Sequence, residues 1–276
     1  MQSAQVQLHA RIEDHHWWFV GRRRIMRGLV QAIAPPDPDS TVLDIGCGTG
    51  ANIGVLAGAY RAIGIDRSQE AIEHARRRFP QASFLAQDAA VTLATLACPP
   101  RVVLLMDVLE HIADDSTFLG HVIAAVPPGT HLLLTVPAEM ALWSAHDVSF
   151  GHHRRYTRQT LARTWAGLPV EVRLHSAYNT RLYPLVRALR AATRATGKPL
   201  GAAGTDFFLP SPPLNAALTA LLAGEVKRLQ HAIDHPSSAA RRGVSLVAIL
   251  RRSEGAVSAT SASAVGAVEP AWQAGA

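Results

Sequence analysis

The segment Val42-Leu43-Asp44-Ile45-Gly46-Cys47-Gly48-Thr49-Gly50-Ala51-Asn52 constrains this chain more than any other. An apolar strand runs into glycines at alternate positions and then into a helix start. Glycine lets the backbone turn sharply and approach a ligand closely. A helix start presents free N–H groups suited to an anion or carboxylate. The spacing also fits a Gly-x-Gly-x-x-Ala dinucleotide fingerprint, so the loop alone leaves a nicotinamide enzyme open.

The rest of the chain continues this alternation. Strands are expected at 41–45, 62–65, 83–85, 102–106, 131–136, 170–174 and 244–250. Helices are expected at 51–59, 69–78, 115–125 and 160–166, after an N-terminal helix at 20–34 that Pro35 and Pro36 stop. Strand-helix-strand repetition at this spacing predicts an α/β fold, a parallel sheet with helices on both faces. With 48% hydrophobic and 17% charged residues, disorder as the dominant state is excluded.

Three acids separate the readings of the glycine loop. Asp44 lies two residues before Gly46, awkward beside a pyrophosphate but suited to a ligand with an ammonium or sulfonium. Asp66 ends the second strand, where it reaches ribose hydroxyls. Asp88 follows the third strand. In an open parallel sheet the strand ends converge, so Gly46, Asp66, Asp88 and Asp107 fall along one edge.

With Asp44–Gly50, Ile65-Asp66, Gln87-Asp88 and Asp107-Val108-Leu109-Glu110-His111-Ile112, the chain resembles the class I S-adenosylmethionine-dependent methyltransferases, small-molecule branch. The resemblance implies a Rossmann-like seven-stranded sheet whose last strand is antiparallel, and S-adenosyl-L-methionine as cofactor. It implies that Gly46 and Gly48 admit the methionine part, with Cys47 and Gly50 beside them, and that Asp44 holds its amino group. It also implies that Asp66 and Arg67 flank the ribose, that Asp88 and Ala89 hold the adenine, and that Asp107 and Val108 lie under the sulfonium. The alternatives are a nicotinamide oxidoreductase, or a cofactor-binding protein without transferase activity.

Two further segments, Glu13 to Arg23 and Leu142 to Tyr156, resemble a bacterial subgroup with an aromatic-arginine start and a Gly-His-x-Arg-Arg-Tyr loop. Trp17, Trp18, Arg22, Arg23, Trp143, His152, Arg154, Arg155 and Tyr156 are therefore expected to line the acceptor, the arginines clamping an anion. The alternative is that the tryptophans simply pack the N-terminal helix on the sheet. His111 and His146 are the candidate general bases, because imidazole titrates in the useful range. No metal is expected: His146, Asp147, His152 and His153 match no closed zinc spacing.

Net charge is +6, and Lys198 and Lys227 are the only lysines, so nearly all of the 27 cations are arginine. Nucleic acid is a disfavoured partner. Asp107 is not followed by Pro-Pro-aromatic, Cys98-Pro99 reverses the Pro-Cys of covalent base methylation, and a lysine-based ribose tetrad lacks its lysines. A small-molecule or lipid-linked, anionic acceptor is expected instead, methylated on oxygen or nitrogen.

The domain organisation expected is a lid segment at 1–40, a core at 41–178, a helical insertion or cap at 179–240, the last strand at 241–252 and a disordered tail at 253–276. An amphipathic 179–240 would meet a membrane surface peripherally. No secretory signal or spanning run is read, so a cytoplasmic chain is expected.

Overall fold

The computed structural model describes residues 3–196, 207 and 209–255. Two helices come first, α1 (Ser3–Ile12) and α2 (Trp17–Ile33). The chain then alternates through β1 (Thr41–Ile45), α3 (Ala51–Gly54), β2 (Arg61–Asp66), α4 (Gln69–Arg78), β3 (Ser83–Ala86) and α5 (Ala89–Thr95). It continues through β4 (Val102–Met106), α6 (Asp115–Ala125) and β5 (His131–Pro137). Short helices α7 (Ala145–Ser149) and α8 (Arg158–Arg163) precede β6 (Val170–Tyr178). Helices α9 (Tyr183–Thr196), α10 (Pro212–Ala223) and α11 (Val226–Asp234) lead to β7 (Ser245–Arg252).

The seven strands form one sheet in the order β3-β2-β1-β4-β5-β7-β6. β1 to β5 are parallel, and β7 runs antiparallel to both β5 and β6. Every residue of β1 and β4 is buried, because helices cover both faces and no polar alternation is needed. Alternate side chains divide between two cores. Val42, Leu104 and Met106 pack on Ile25, Met26 and Leu29 of α2, while Leu43, Val103 and Leu105 pack on Leu119 and Ile123 of α6. The winding reverses between β1 and β4, so the carboxyl ends of these strands border the ligand crevice of such sheets.

The helix expected at 51–59 ends at Gly54. The Phe79 ring lies 2.4 Å from where a Gly54 Cβ would stand, and Gly58, at φ +86, turns the chain toward β2. α2 starts earlier than its periodicity suggests, because His16 caps it by accepting the Trp18 N–H at 3.2 Å.

Two helices of the insertion, α10 and α11, pack on α2. Gly21 and Gly28 of α2 let α10 and α11 come close: a Cβ there would lie 2.8 Å from Leu222 and 2.4 Å from Val226. The apolar stretch from Leu214 to Ile233 is divided at Gly224-Glu225 into α10 and α11. The buried Glu225 carboxylate accepts the Thr180 N–H and hydroxyl at 2.7 and 2.8 Å. The insertion's exposed apolar side chains include Leu185 and Leu189 of α9, Leu209, and Leu214 of α10. Among the described residues no helix is long and apolar enough to cross a membrane. Residues 197–206 and 208 of the insertion, and 256–276 of the expected disordered tail, lie outside the described residues.

Candidate active site

The glycine loop is hooked onto the next strand. The N–H groups of Gly46 and Cys47 both donate to the Ile65 carbonyl, at 2.8 and 2.9 Å. Gly46, Gly48 and Gly50 have φ of +75, +54 and +84, the left-handed region that glycine enters without strain. A Cβ on Gly46 would lie 2.9 Å from Val108, so the exits of β1 and β4 are in contact here. Gly48 N–H donates to Asp66 at 3.0 Å, and Ser68 N–H donates to the other Asp66 oxygen at 2.8 Å. Each carboxylate oxygen retains a lone pair for a further donor. Arg67 pairs with Asp88 at 2.9 Å, both about half exposed, and Ala89 opens α5 beside them. The Cys47 thiol is buried, which pushes its pKa well up and leaves it unreactive.

Asp44 lies under this loop, fully buried, with no hydrogen-bond partner for either carboxylate oxygen among the described residues. Burial pushes its pKa up to about 8; the Arg22 charge opposes the shift and Asp66 adds to it. An orphaned buried carboxyl beside a glycine cradle suits a ligand group that is cationic and donates hydrogen bonds. Asp107, just after β4, holds φ +60, a conformation that aspartate tolerates better than most residues and that clusters at functional sites. It accepts the Thr135 hydroxyl at 2.8 Å and forms an ion pair with Arg22.

The four arginines expected to clamp an anion each have a partner within the chain. Arg22 faces Asp107, and Arg23 donates to the Glu13 carbonyl at 2.9 Å. Arg154 pairs with Asp115 at 2.8 Å, and Arg155 with the buried Asp147 at 2.8 Å. Each guanidinium already has an acceptor within the chain, a long-range pairing that charge counting does not reveal. The Gly-His-x-Arg-Arg-Tyr loop is a strut built on Asp147. This carboxylate also accepts Ser144 N–H and His152 Nδ1–H, each at 2.9 Å. Burial would raise its pKa, but the His152 and Arg155 hydrogen bonds hold it well below the usual carboxylate range.

Tyr156 is buried as part of the same strut, and its hydroxyl donates to Asp115 at 2.6 Å. Burial and Asp115 push the phenol pKa up, so it remains a donor. Tyr156→Phe is therefore expected to cost about 1.5–3 kcal/mol, the range for a hydrogen bond to a charged group. Urea unfolding reads this as a lower midpoint at unchanged slope. A midpoint equal to that of the wild type would contradict the strut.

The tryptophans divide. Trp18 stacks on Tyr178 at 6.1 Å with 9° between ring planes, and Arg22 lies 5.9 Å from its ring on the way to Asp107. Trp17 N–H donates to Asn215 of α10 at 2.9 Å. Both rings are partly buried and pack against the core that α2 covers. Trp143 is half-buried after the turn at Met140–Leu142. His146 sits among Phe150 and Phe207 at ring separations of 4.6 and 4.8 Å. Burial lowers the pKa of both His111 and His146 to about 3, so neither is a strong base as placed.

Glu13 is a site residue that sequence reasoning missed. It is buried, accepts the Thr49 hydroxyl at 2.6 Å and pairs with Arg78 of α4. It ties the α1–α2 corner to the glycine loop. A buried acid flanked by the polar Asp14 and His15 carries no signal in sequence.

A family model for the methyltransferase domain matches residues 18–172. The chain belongs to that family. The match takes in β1 to β5 with the glycine loop, the acids and the Asp147 strut. The trans-aconitate 2-methyltransferase of Azoarcus sp. (strain BH72) is 29% identical over 119 residues, 42% of this chain and 46% of that protein. A probable S-adenosylmethionine-dependent methyltransferase of Mycolicibacterium smegmatis is 26% identical over 140 residues, 49% of this chain and 51% of that protein. The chain spans about half the length of these curated relatives. The plantazolicin methyltransferase BpumL, solved in complex with SAH, shares the fold with a TM-score of 0.54 at 13% identity, over 91% of this chain and 90% of that one.

Proposed function

We propose that this methyltransferase-family chain transfers a methyl group from S-adenosyl-L-methionine to an oxygen or nitrogen of a small-molecule acceptor. The observation that carries the reading is Asp44: a fully buried carboxyl, without a partner among the described residues, beneath three left-handed glycines. The residues fit the cofactor. Gly46 and Gly48 leave room for close approach, Asp44 accepts from its amino group, Asp66 from its ribose hydroxyls, and Asp88 and Ala89 border its adenine. Cys47, Gly50, Arg67, Asp107 and Val108 complete the surround. When bound, the cofactor supplies a methyl group on a sulfonium, already activated for displacement. The chain's work is alignment of the acceptor nucleophile with the S–CH₃ bond and exclusion of water, which alone accounts for several kcal/mol of barrier reduction. Trp143, His152 and the aromatic group around His146 border the acceptor side of the same strand ends. With the arginines paired internally, the reading carries no requirement for an anionic acceptor.

Thermal shift tests the cofactor assignment. S-adenosylhomocysteine at about a hundred times its dissociation constant is expected to stabilise the chain by about 2.7 kcal/mol, seen as a rise in Tm. NAD at equal concentration is expected to leave Tm unchanged. A shift with NAD and none with S-adenosylhomocysteine would overturn the reading in favour of a nicotinamide enzyme.

A further inference from the structure

Glu110, His111 and His152 come together from two loops. The first two follow β4, and the third lies in the strut after β5. Their candidate ligand atoms all lie within 4.8 Å of one another. The backbone fixes the approach, since His153 N–H donates to the Glu110 carbonyl at 2.8 Å. The imidazole rings of His111 and His152 meet edge-on, with centroids 4.7 Å apart.

Each ring has one nitrogen already oriented. His152 Nδ1–H donates to Asp147, leaving Nε2 as the lone-pair nitrogen. The Phe150 backbone carbonyl lies near the His111 ring and favours an N–H on that side, leaving the other nitrogen as an acceptor. Histidines that ligate a metal usually hold their second N–H on a carboxylate or a backbone carbonyl in this way. Glu110 adds an independent sign. Its carboxyl is fully buried, and neither oxygen has a hydrogen-bond partner among the described residues, although the Arg22 and Arg155 charges lie in the neighbourhood. A buried carboxylate without a donor is costly unless a cation completes it.

We propose that Glu110, His111 and His152 bind a divalent first-row transition-metal ion, with Asp147 and the Phe150 carbonyl orienting the two imidazoles. Two imidazoles and one carboxylate suit zinc, iron, cobalt or nickel better than magnesium or calcium, which favour all-oxygen shells. Three protein ligands leave coordination positions open, as in catalytic rather than structural zinc sites. Resting on the methyl-transfer reading, those positions would take an acceptor oxygen beside the β4 exit. The metal site itself does not depend on that reading. The sequence spacing points away from a metal because the set spans two segments: Glu110 and His111 lie in the exit of β4, and His152 in the loop after β5.

The test uses the full chain without cofactor or acceptor, so that failure here is distinct from failure of S-adenosylhomocysteine to bind. The chain is stripped with chelator and titrated with Zn(II) by calorimetry, and with Co(II) by visible absorption. About one tightly held ion per chain is expected, with a Co(II) spectrum of nitrogen-ligated, low-coordinate type. The exposed His231–His235 pair, stacked at 4.0 Å, is the competing adventitious site. The double variant His231→Ala/His235→Ala should keep the tight ion. His111→Ala and His152→Ala should lose it, and the near-isosteric Glu110→Gln should weaken it at least about tenfold. Circular dichroism identifies any ligand variant that does not fold, and the wild type and the surface-pair variant then decide alone. No tight ion in the wild type, loss of it in the surface-pair variant, or its retention in a folded His111→Ala or His152→Ala chain would overturn the site.

Discussion

The Asp44→Asn chain is expected to be more stable than the wild type and to bind S-adenosylhomocysteine about a hundredfold more weakly. The two effects share one cause. Asp44 is fully buried, and its oxygens have no partner among the described residues. Burial pushes its pKa from the ordinary carboxylate range up to about 8. Folding thus favours the protonated form. The stability this group allows is fully present below the unfolded pKa, declines as pH rises, and is lost once pH passes about 8. Asparagine carries no charge to desolvate, so the variant escapes that loss. Its advantage over the wild type should be small near pH 4, grow through neutrality and level above pH 8, where it is on the order of several kcal/mol.

Ligand binding responds in the opposite direction. A buried carboxylate facing an ammonium contributes about 3 kcal/mol, or about a hundredfold in dissociation constant. An amide in its place removes the charge complementarity. In the wild type, binding of the ammonium draws Asp44 into its ionised form, so affinity should rise with pH toward about 8 as less proton must be released. Calorimetry in two buffers of different ionisation enthalpy reads that proton directly. Equal affinity in wild type and variant, or no proton release, would remove Asp44 from the cofactor site.

How much was legible in the sequence depended on the range of the interaction. The helices at 69–78 and 115–125 have the expected bounds because their caps are local: Ser68 accepts Ala71 N–H at 3.2 Å and Asp114 accepts Thr117 N–H at 3.1 Å. The central strands read correctly because burial on both faces leaves unbroken apolar runs. The glycine loop read correctly because left-handed backbone demands that residue type. Partners remote in sequence were not legible. Asn215 of α10 clasps the start of α2, donating to the His15 carbonyl at 2.7 Å, across 200 residues. Glu13 reaches Thr49, and four arginines find their acceptors across loops, where composition shows only net charge. The histidines were read from ring chemistry alone. Burial lowers the pKa of His111 and His146, and the Asp147 carboxylate orients the His152 ring.

Arg22→Ala is expected to destabilise the chain by about 1–4 kcal/mol, between the cost of breaking an exposed ion pair and that of stranding a fully buried partner. Arg22 is 9% exposed and forms its ion pair with Asp107. Burial raises the pKa of Asp44, of Glu110 and of the Tyr178 phenol, and the Arg22 charge opposes the rise in each, so one guanidinium serves acids at the ends of β1, β4 and β6. Without it Asp107, still accepting from Thr135, faces the crevice as an uncompensated charge, and Asp44 ionises even less readily. Asp107→Asn in the same chain should recover a large part of the loss. Asparagine tolerates the φ of +60 at that position, so the second change removes the charge without adding backbone strain. A double-mutant cycle in urea separates the pair from the packing of the Arg22 stem on Trp18. A loss below about 1 kcal/mol for Arg22→Ala, or strict additivity of the two changes, would mean the pair is not what holds α2 to the strand ends. Arg22→Lys distinguishes charge from shape: it keeps the cation but not the planar fork, and should fall between the two. The same measurement repeated with S-adenosylhomocysteine bears on function. If the cofactor's own cation lies beside Asp44, part of the missing positive charge is replaced on binding. The ligand-induced rise in Tm should then be larger in Arg22→Ala than in the wild type.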